Sequence, residues 1–143
     1  MVKKYLKVPK VLRSTYSLEI KNMDNKEFGK NIEGRTLRFA IQVIHLSSTL
    51  PNTPEARVVR NQFTKAGTSV GANYREVNRS RSKADFIHKI KICETEASET
   101  VFWLNVIATQ KWVDENEVRS LLEEACELLA IFTSATRNLK INS

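Results

Sequence analysis

Residues 62–104 contain two apolar periodicities separated by a short basic connector, and this arrangement most constrains the fold. In the first half, the repeating positions are Phe63, Ala66, Val70, Asn73 or Tyr74, and Val77. In the second half, they are Phe86, Ile90, Cys93, Ala97, Val101 and Leu104. Steps of three and four residues place side chains on one face of an α-helix. Residues 78–82 interrupt the pattern, and Ser82 is a typical N-cap. The sequence therefore predicts two long antiparallel helices joined as an αα-hairpin.

Two glycines, Gly67 and Gly71, lie one turn apart in the first of these helices. Each costs about 1 kcal/mol relative to alanine in a helix interior. With Ala66, Ser69 and Ala72 they leave one side of the helix nearly flat. Close packing against another helix is the favoured interpretation, because small residues permit it. The alternative is a ligand or a nucleic-acid backbone lying on the flat side.

The remaining sequence predicts two further helices around this hairpin. The first helix is expected from Glu33 or Arg35 to Ser48, the second over about 54–78 and the third over about 83–110. A fourth follows Asp114 with a continuous apolar stripe. Short loops and matched lengths are typical of an all-α, antiparallel up-down-up-down four-helix bundle. We assign residues 31–143 to this bundle and residues 1–30 to a flexible basic N-terminal arm.

Several classes of protein are not indicated by the sequence. No apolar run approaches the length of a membrane span, and the lysine-rich N-terminus has no signal-peptide pattern, so a cytoplasmic protein is expected. Cys93 and Cys126 are predicted core residues, not a disulfide. The two histidines, His45 and His88, lack the Glu-x-x-His pairs of a di-iron bundle. No metal, cofactor or membrane partner is expected.

The net charge of +7 is unevenly distributed. Residues 1–35 contain nine Lys or Arg and four acidic residues, and residues 63–91 contain seven and two; residues 92–143 reverse the balance with four and nine. We predict that the cations around the hairpin connector bind nucleic-acid phosphates without reading sequence. They are Lys65, Arg75, Arg79, Arg81, Lys83 and Lys89. Tyr74 is a candidate stacking surface for a base. The alternative is a solvated loop whose arginines pair with Glu76, Asp85 or the acidic fourth helix.

One pattern raises a catalytic alternative. Some helical ribonucleases place an arginine and a histidine close together, to stabilise the phosphorane and to move a proton. Arg81 and His88 are seven residues apart, but so are Arg38 and His45, which shows how unspecific this spacing is. We therefore favour a surface role for Arg81 and His88, and no enzymatic activity.

The first helix carries two apolar stripes instead of the single stripe that a monomeric bundle needs. One consists of Leu37, Ile41 and Ile44, and the other of Phe39, Val43 and Leu46. An apolar patch left in water usually marks an interface, so the sequence predicts a homo-oligomer. The pattern leaves open which stripe faces outward; we assign Phe39, Val43 and Leu46 to the interface.

Three motifs together resemble one bacterial protein family. They are the run from Thr68 to Glu76, the turn from Arg81 to Ile87, and the segment from Glu96 to Leu104. The chain resembles, over about residues 35–135, the four-helix bundle family encoded in the intervening sequence of large-subunit ribosomal RNA genes. This family is related to the accessory protein of diversity-generating retroelements.

The resemblance implies a non-enzymatic homo-oligomer, typically a pentamer, with no catalytic residues to carry over. It also implies binding of RNA or DNA, and of a reverse transcriptase or other protein partner, through a basic surface. The function expected from the sequence is thus that of a homo-oligomeric nucleic-acid-binding accessory protein. A protein–protein adaptor without nucleic-acid affinity, or a metal-independent ribonuclease using Arg81 and His88, is the alternative.

Overall fold

Four long α-helices make up almost all of the chain that the structure, a computed structural model, describes. It describes residues 25–141, and the side chains of residues 26–138. The helices are α1 (Asn25–Ser48), α2 (Pro54–Val77), α3 (Lys83–Gln110) and α4 (Glu115–Ile141). Each helix packs on the next one in the chain, and α1 closes the ring through a narrower contact with α4. The predicted all-α four-helix bundle is confirmed. No helix in the described part of the chain is long and apolar enough to cross a membrane.

Side-chain caps explain why the helices start where they do. Thr53 Oγ1 accepts the Ala56 N–H at 3.1 Å, and Pro54 occupies the first position of α2, where its missing N–H costs nothing. The Arg60 guanidinium then donates to the carbonyls of Ser47, Leu50 and Pro51 at 3.1, 2.6 and 3.0 Å. These bonds hold the α1–α2 connector against the start of α2.

Helix α1 begins at Asn25, well before the start predicted at Glu33 or Arg35. The additional turns bury Phe28 and Ile32 completely, so they belong to the core. This extension was not predicted because the segment contains Gly29 and Gly34, and glycine is a poor helix former. Part of the segment predicted as an arm is therefore helical. The remainder, residues 1–24, lies outside the described residues.

The flat side of α2 is occupied by α1. A Cβ built on Gly67 would lie 2.6 Å from Val43 Cγ2, and one built on Gly71 would lie 3.0 Å from the Thr36 carbonyl oxygen. Both distances are shorter than van der Waals contact. Close helix packing is therefore the reason for the two glycines, and this side of α2 is closed to a ligand.

We expect Gly67→Ala to destabilise the bundle although it raises helix propensity. The new methyl group would overlap Val43, and overpacking of a filled core costs about 1–3 kcal/mol. Gly34→Ala is the matched control, because its methyl group would meet only the end of the Arg38 side chain, at 3.3 Å. This control should gain up to about 1 kcal/mol from propensity alone. Urea unfolding measures both values, and an equal response of the two variants would contradict the packing explanation.

Candidate nucleic-acid interface

The α2–α3 connector is held in place by the first turn of α3. Ser82 Oγ accepts the Asp85 N–H at 3.1 Å, and Asp85 Oδ2 accepts the Arg81 N–H at 3.0 Å. The same carboxylate oxygen accepts a hydrogen bond from Lys89 Nζ at 3.1 Å. The Arg81 N–H and, after it, the Lys89 ammonium hold the pKa of Asp85 below its ordinary value. Asp85 is therefore ionised at neutral pH, and it fixes the backbone from which the connector cations project.

Five of the six predicted cations gather around this connector. Arg75, Arg79 and Arg81 are exposed, and Lys83 and Lys89 are half-buried. Lys89 is paired with Asp85, whereas Arg79 lies 3.9 Å from a Glu76 oxygen with both side chains largely exposed, a pair worth little. The remaining three, Arg75, Arg81 and Lys83, form no ion pair with any residue that the structure describes.

Lys65 does not belong to this group. It lies ten residues before Arg75 on α2, which is about 15 Å along the helix axis. Its charge acts on Glu96 of α3. Burial and then Glu99 raise the pKa of Glu96, and Lys65 lowers it. The structure thus places Lys65 on the side of the bundle, away from the connector.

Tyr74 is buried and cannot stack on a base, so the prediction of a stacking surface is wrong. Its hydroxyl donates to the Gly29 carbonyl oxygen at 3.2 Å, and its ring centroid lies 6.1 Å from that of Phe132. Burial raises the pKa of this hydroxyl well above its ordinary value. Tyr74 instead joins α1, α2 and α4 just below the connector.

The contacts of Tyr74 show that further cations lie at the same end of the bundle. Because Gly29 lies beside Tyr74, α1 starts at the connector end, where Lys26 and Lys30 are exposed. Arg137, near the end of α4, is exposed there too. The sequence prediction assigned nucleic-acid affinity to the arm that contains Lys26 and Lys30 without naming these residues, and it missed Arg137. We call this end of the bundle, with Lys26, Lys30, Arg75, Arg79, Arg81, Lys83, Lys89 and Arg137, the basic end.

The opposite end of the bundle has a balanced charge. Residues 48–60 and 108–119, which form that end, contain four Lys or Arg and four Asp or Glu between them. Residues 75–91 at the basic end contain six and two. The bundle is therefore electrostatically polar along its axis, and a polyanion approaching it is attracted to one end.

The buried and titratable groups offer little for acid–base or metal chemistry. Burial raises the pKa of Cys93 to about 12, so its thiol stays protonated, and its Sγ lies 3.8 Å from the Val70 carbonyl oxygen. His88 and Arg81 are both exposed. Among the described residues, no three His, Cys, Asp or Glu side chains converge on a possible metal position.

The burial of the α1 side chains shows that the predicted interface residues are wrong. Phe39, Val43 and Leu46 are buried in the core of the single chain, so they cannot form a surface between copies. The apolar side chains at the surface of α1 are Leu37, Ile41 and Ile44, exposed to 62%, 47% and 51%. The packing of Val43 against Gly67 turns the stripe that contains Val43 inward and leaves the other stripe in water. We call Leu37, Ile41 and Ile44 the α1 stripe.

An ion cluster on the other flank of α1 supports the same orientation. The Arg35 guanidinium, 7% exposed, bonds to Glu124 and lies 3.2 Å from a Glu127 oxygen on α4. This cluster closes the narrow α1–α4 contact. Because Arg35 faces α4, the α1 stripe faces away from the bundle.

Together these features define a small all-α bundle protein with a cationic end and an uncovered apolar stripe. The chain belongs to the 23S rRNA-intervening sequence protein family, whose family model matches residues 31–134. This match confirms the resemblance noted from the sequence motifs.

A solved structure supports the assignment. The crystal structure of a protein of unknown function from the S23 ribosomal protein family of Bacteroides thetaiotaomicron superposes with a TM-score of 0.69. The two chains are 29% identical, and the alignment covers 76% of this chain and 97% of that one. No functionally curated protein matches the chain.

Proposed function

We propose that this protein is a non-enzymatic, homo-oligomeric accessory protein of the cytoplasm that binds RNA or DNA through its basic end. The observation that carries this proposal is the set of exposed arginines and lysines at one end of the bundle, led by Arg75 and Arg81, that form no ion pair with any residue the structure describes. An ordinary solvated surface would pair or spread these charges. Here the capped connector holds them together.

The chemistry of these residues favours the phosphate backbone over base edges. Arginine presents a planar set of donors that fits phosphate oxygens, and lysine supplies a point charge. Tyr74 and Phe86, the two aromatic residues closest to the connector in sequence, are both buried. Binding is therefore expected to depend on charge and shape more than on sequence.

The assembly part of the proposal rests on the α1 stripe. Three large aliphatic side chains at spacings of four and three residues form a continuous apolar surface in water, which usually marks an interface. The family resemblance suggests five copies. A ring of this kind would bring five basic ends into one assembly and multiply their affinity for a long polyanion. The resemblance alone adds a reverse transcriptase or another protein as a candidate partner.

A salt titration tests the proposed binding. We expect the protein to bind a fluorescent structured RNA or DNA duplex at low salt, with log affinity falling steeply against log salt because phosphate counterions are released. Fluorescence anisotropy measures the slope.

A cleavage assay tests the absence of enzymatic activity. We expect the bound RNA to be recovered intact, and any trace cleavage by a preparation to be the same for the unmodified protein, Arg81→Ala and His88→Ala. The absence of binding at low salt would favour the adaptor alternative, and loss of cleavage in both variants would favour the ribonuclease.

A further inference from the structure

An open groove on another side of the molecule exposes two apolar side chains among polar ones. It runs between α3 and α4 and has a volume of about 650 Å³. The apolar side chains are Phe102 and Leu129, and the polar ones are Glu94, Thr95, Ser98, Glu99 and Thr133. Phe102 is 57% exposed, and its ring is held edge-on against Trp103 with centroids 4.9 Å apart. A large exposed aromatic side chain is typical of an interface anchor.

The α1 stripe and this groove match in length. Leu37, Ile41 and Ile44 follow the i, i+4, i+7 spacing with which one helix places anchors in a groove. The stripe spans eight residues, Leu37 to Ile44, or about 10 Å of helix axis. The groove wall from Glu94 to Phe102 spans nine residues, or about 12 Å. All three anchors can therefore lie in the groove at once.

The charges beside the two surfaces are complementary. Arg38 flanks the α1 stripe and is exposed. Glu94 and Glu99 line the groove, and no ion pair of either carboxylate occurs among the described residues. Glu99 accepts a hydrogen bond from Trp103 Nε1 at 3.4 Å. Opposite charges at the rim favour one orientation of the docked helix and speed its encounter.

We infer that the α1 stripe of one copy docks into the α3–α4 groove of the next copy. The two surfaces lie on different sides of one bundle, so a chain cannot fill its own groove with its own stripe. The contact joins two different surfaces and is therefore head-to-tail, which generates a ring if the rotation closes. This inference rests on the assembly part of the proposed function and names the surface that receives the stripe.

Disulfide trapping tests the pairing in the full chain. Copies with Leu37→Cys and copies with Ser98→Cys, both carrying Cys126→Ser to remove the exposed native thiol, are co-expressed with different tags and oxidised mildly. We expect a crosslinked dimer that carries both tags. The matched control replaces Ser98→Cys by Gln110→Cys, an exposed position at the far end of the same helix, and should give no crosslink to Leu37→Cys.

Light scattering on the same samples separates the possible failures. An oligomer that shows no Leu37→Cys to Ser98→Cys crosslink would overturn the groove assignment and leave the groove to another occupant, such as residues 1–24. The proposed assembly would survive that result. A mass near 16.4 kDa for the unmodified protein would overturn both. Equal crosslinking of the Gln110→Cys control would also overturn the groove assignment, because it would show unspecific collision.

Discussion

Val43→Glu is expected to unfold the protein, whereas Ile41→Glu is expected to leave the helices intact and dissociate the oligomer. Val43 is fully buried against Gly67, and a carboxylate there would be an unpaired charge in the core. That penalty, several kcal/mol, is comparable to a total stability of about 5–15 kcal/mol. Ile41 is 47% exposed in the single chain, so its replacement by glutamate costs the isolated bundle little.

Circular dichroism and light scattering distinguish these two outcomes. Val43→Glu should lose its helical signal or its cooperative melting transition. Ile41→Glu should keep both and elute with a mass near 16.4 kDa. Ile41→Val is the control, because it keeps the apolar surface and should keep the oligomer. If Ile41→Glu retained the wild-type mass, the α1 stripe would not be the interface.

Changing Arg75, Arg79, Arg81 and Lys83 together to glutamine is expected to abolish most nucleic-acid affinity. Each phosphate contact contributes about 0.7–0.9 to the slope of log affinity against log salt. Removing four contacts should make the slope shallower by about 3 and weaken binding at 0.1 M salt on the order of a thousandfold. None of the four side chains lies in the core, so the fold should survive.

A second quadruple variant removes the same charge elsewhere. Arg57, Lys65, Lys111 and Arg119 are exposed and lie away from the basic end. Their replacement by glutamine lowers the net charge equally but should change the salt slope little. Anisotropy titrations at several salt concentrations compare the two variants. An equal loss in both would show that net charge, and not the basic end, determines affinity.

The helices were largely predictable because their signals are local. The apolar repeat from Phe86 to Leu104 and the Ser82 cap lie within a few residues of the structure that they determine. The start of α1 was not predictable in this way. Its first turn depends on the burial of Phe28, and Gly29 masks the period while offering the carbonyl that Tyr74 binds 45 residues away.

The orientation of α1 shows where periodicity fails. Leu37, Ile41 and Ile44 are as apolar as Phe39, Val43 and Leu46, so no local rule separates the two stripes. The decision lies in other helices, where Gly67 admits Val43 and where Glu124 and Glu127 receive Arg35. Pairings of this kind are long-range and do not show in the spacing of one helix.

The candidate site was partly predictable for a related reason. Charge clusters are visible in sequence, and the connector cations lie together because the hairpin brings them there. Whether Tyr74 faces solvent, and whether Lys65 reaches the connector, depends on helix rotation and length. Lys26 and Lys30 were left in the arm because the start of α1 was predicted at Glu33 or Arg35, after both residues.

The narrow contact that Arg35 makes with α4 has a consequence for the order in which the molecule folds. Helices that are adjacent in the chain pack on each other through short connectors, and such local contacts form quickly. The Arg35–Glu124 bond, by contrast, joins residues 89 positions apart. Closing a loop of that length has a higher entropic cost than joining two helices that are adjacent in the chain, because the cost grows with loop length. The contact between α1 and α4 should therefore form last, after the three contacts between helices that are adjacent in the chain.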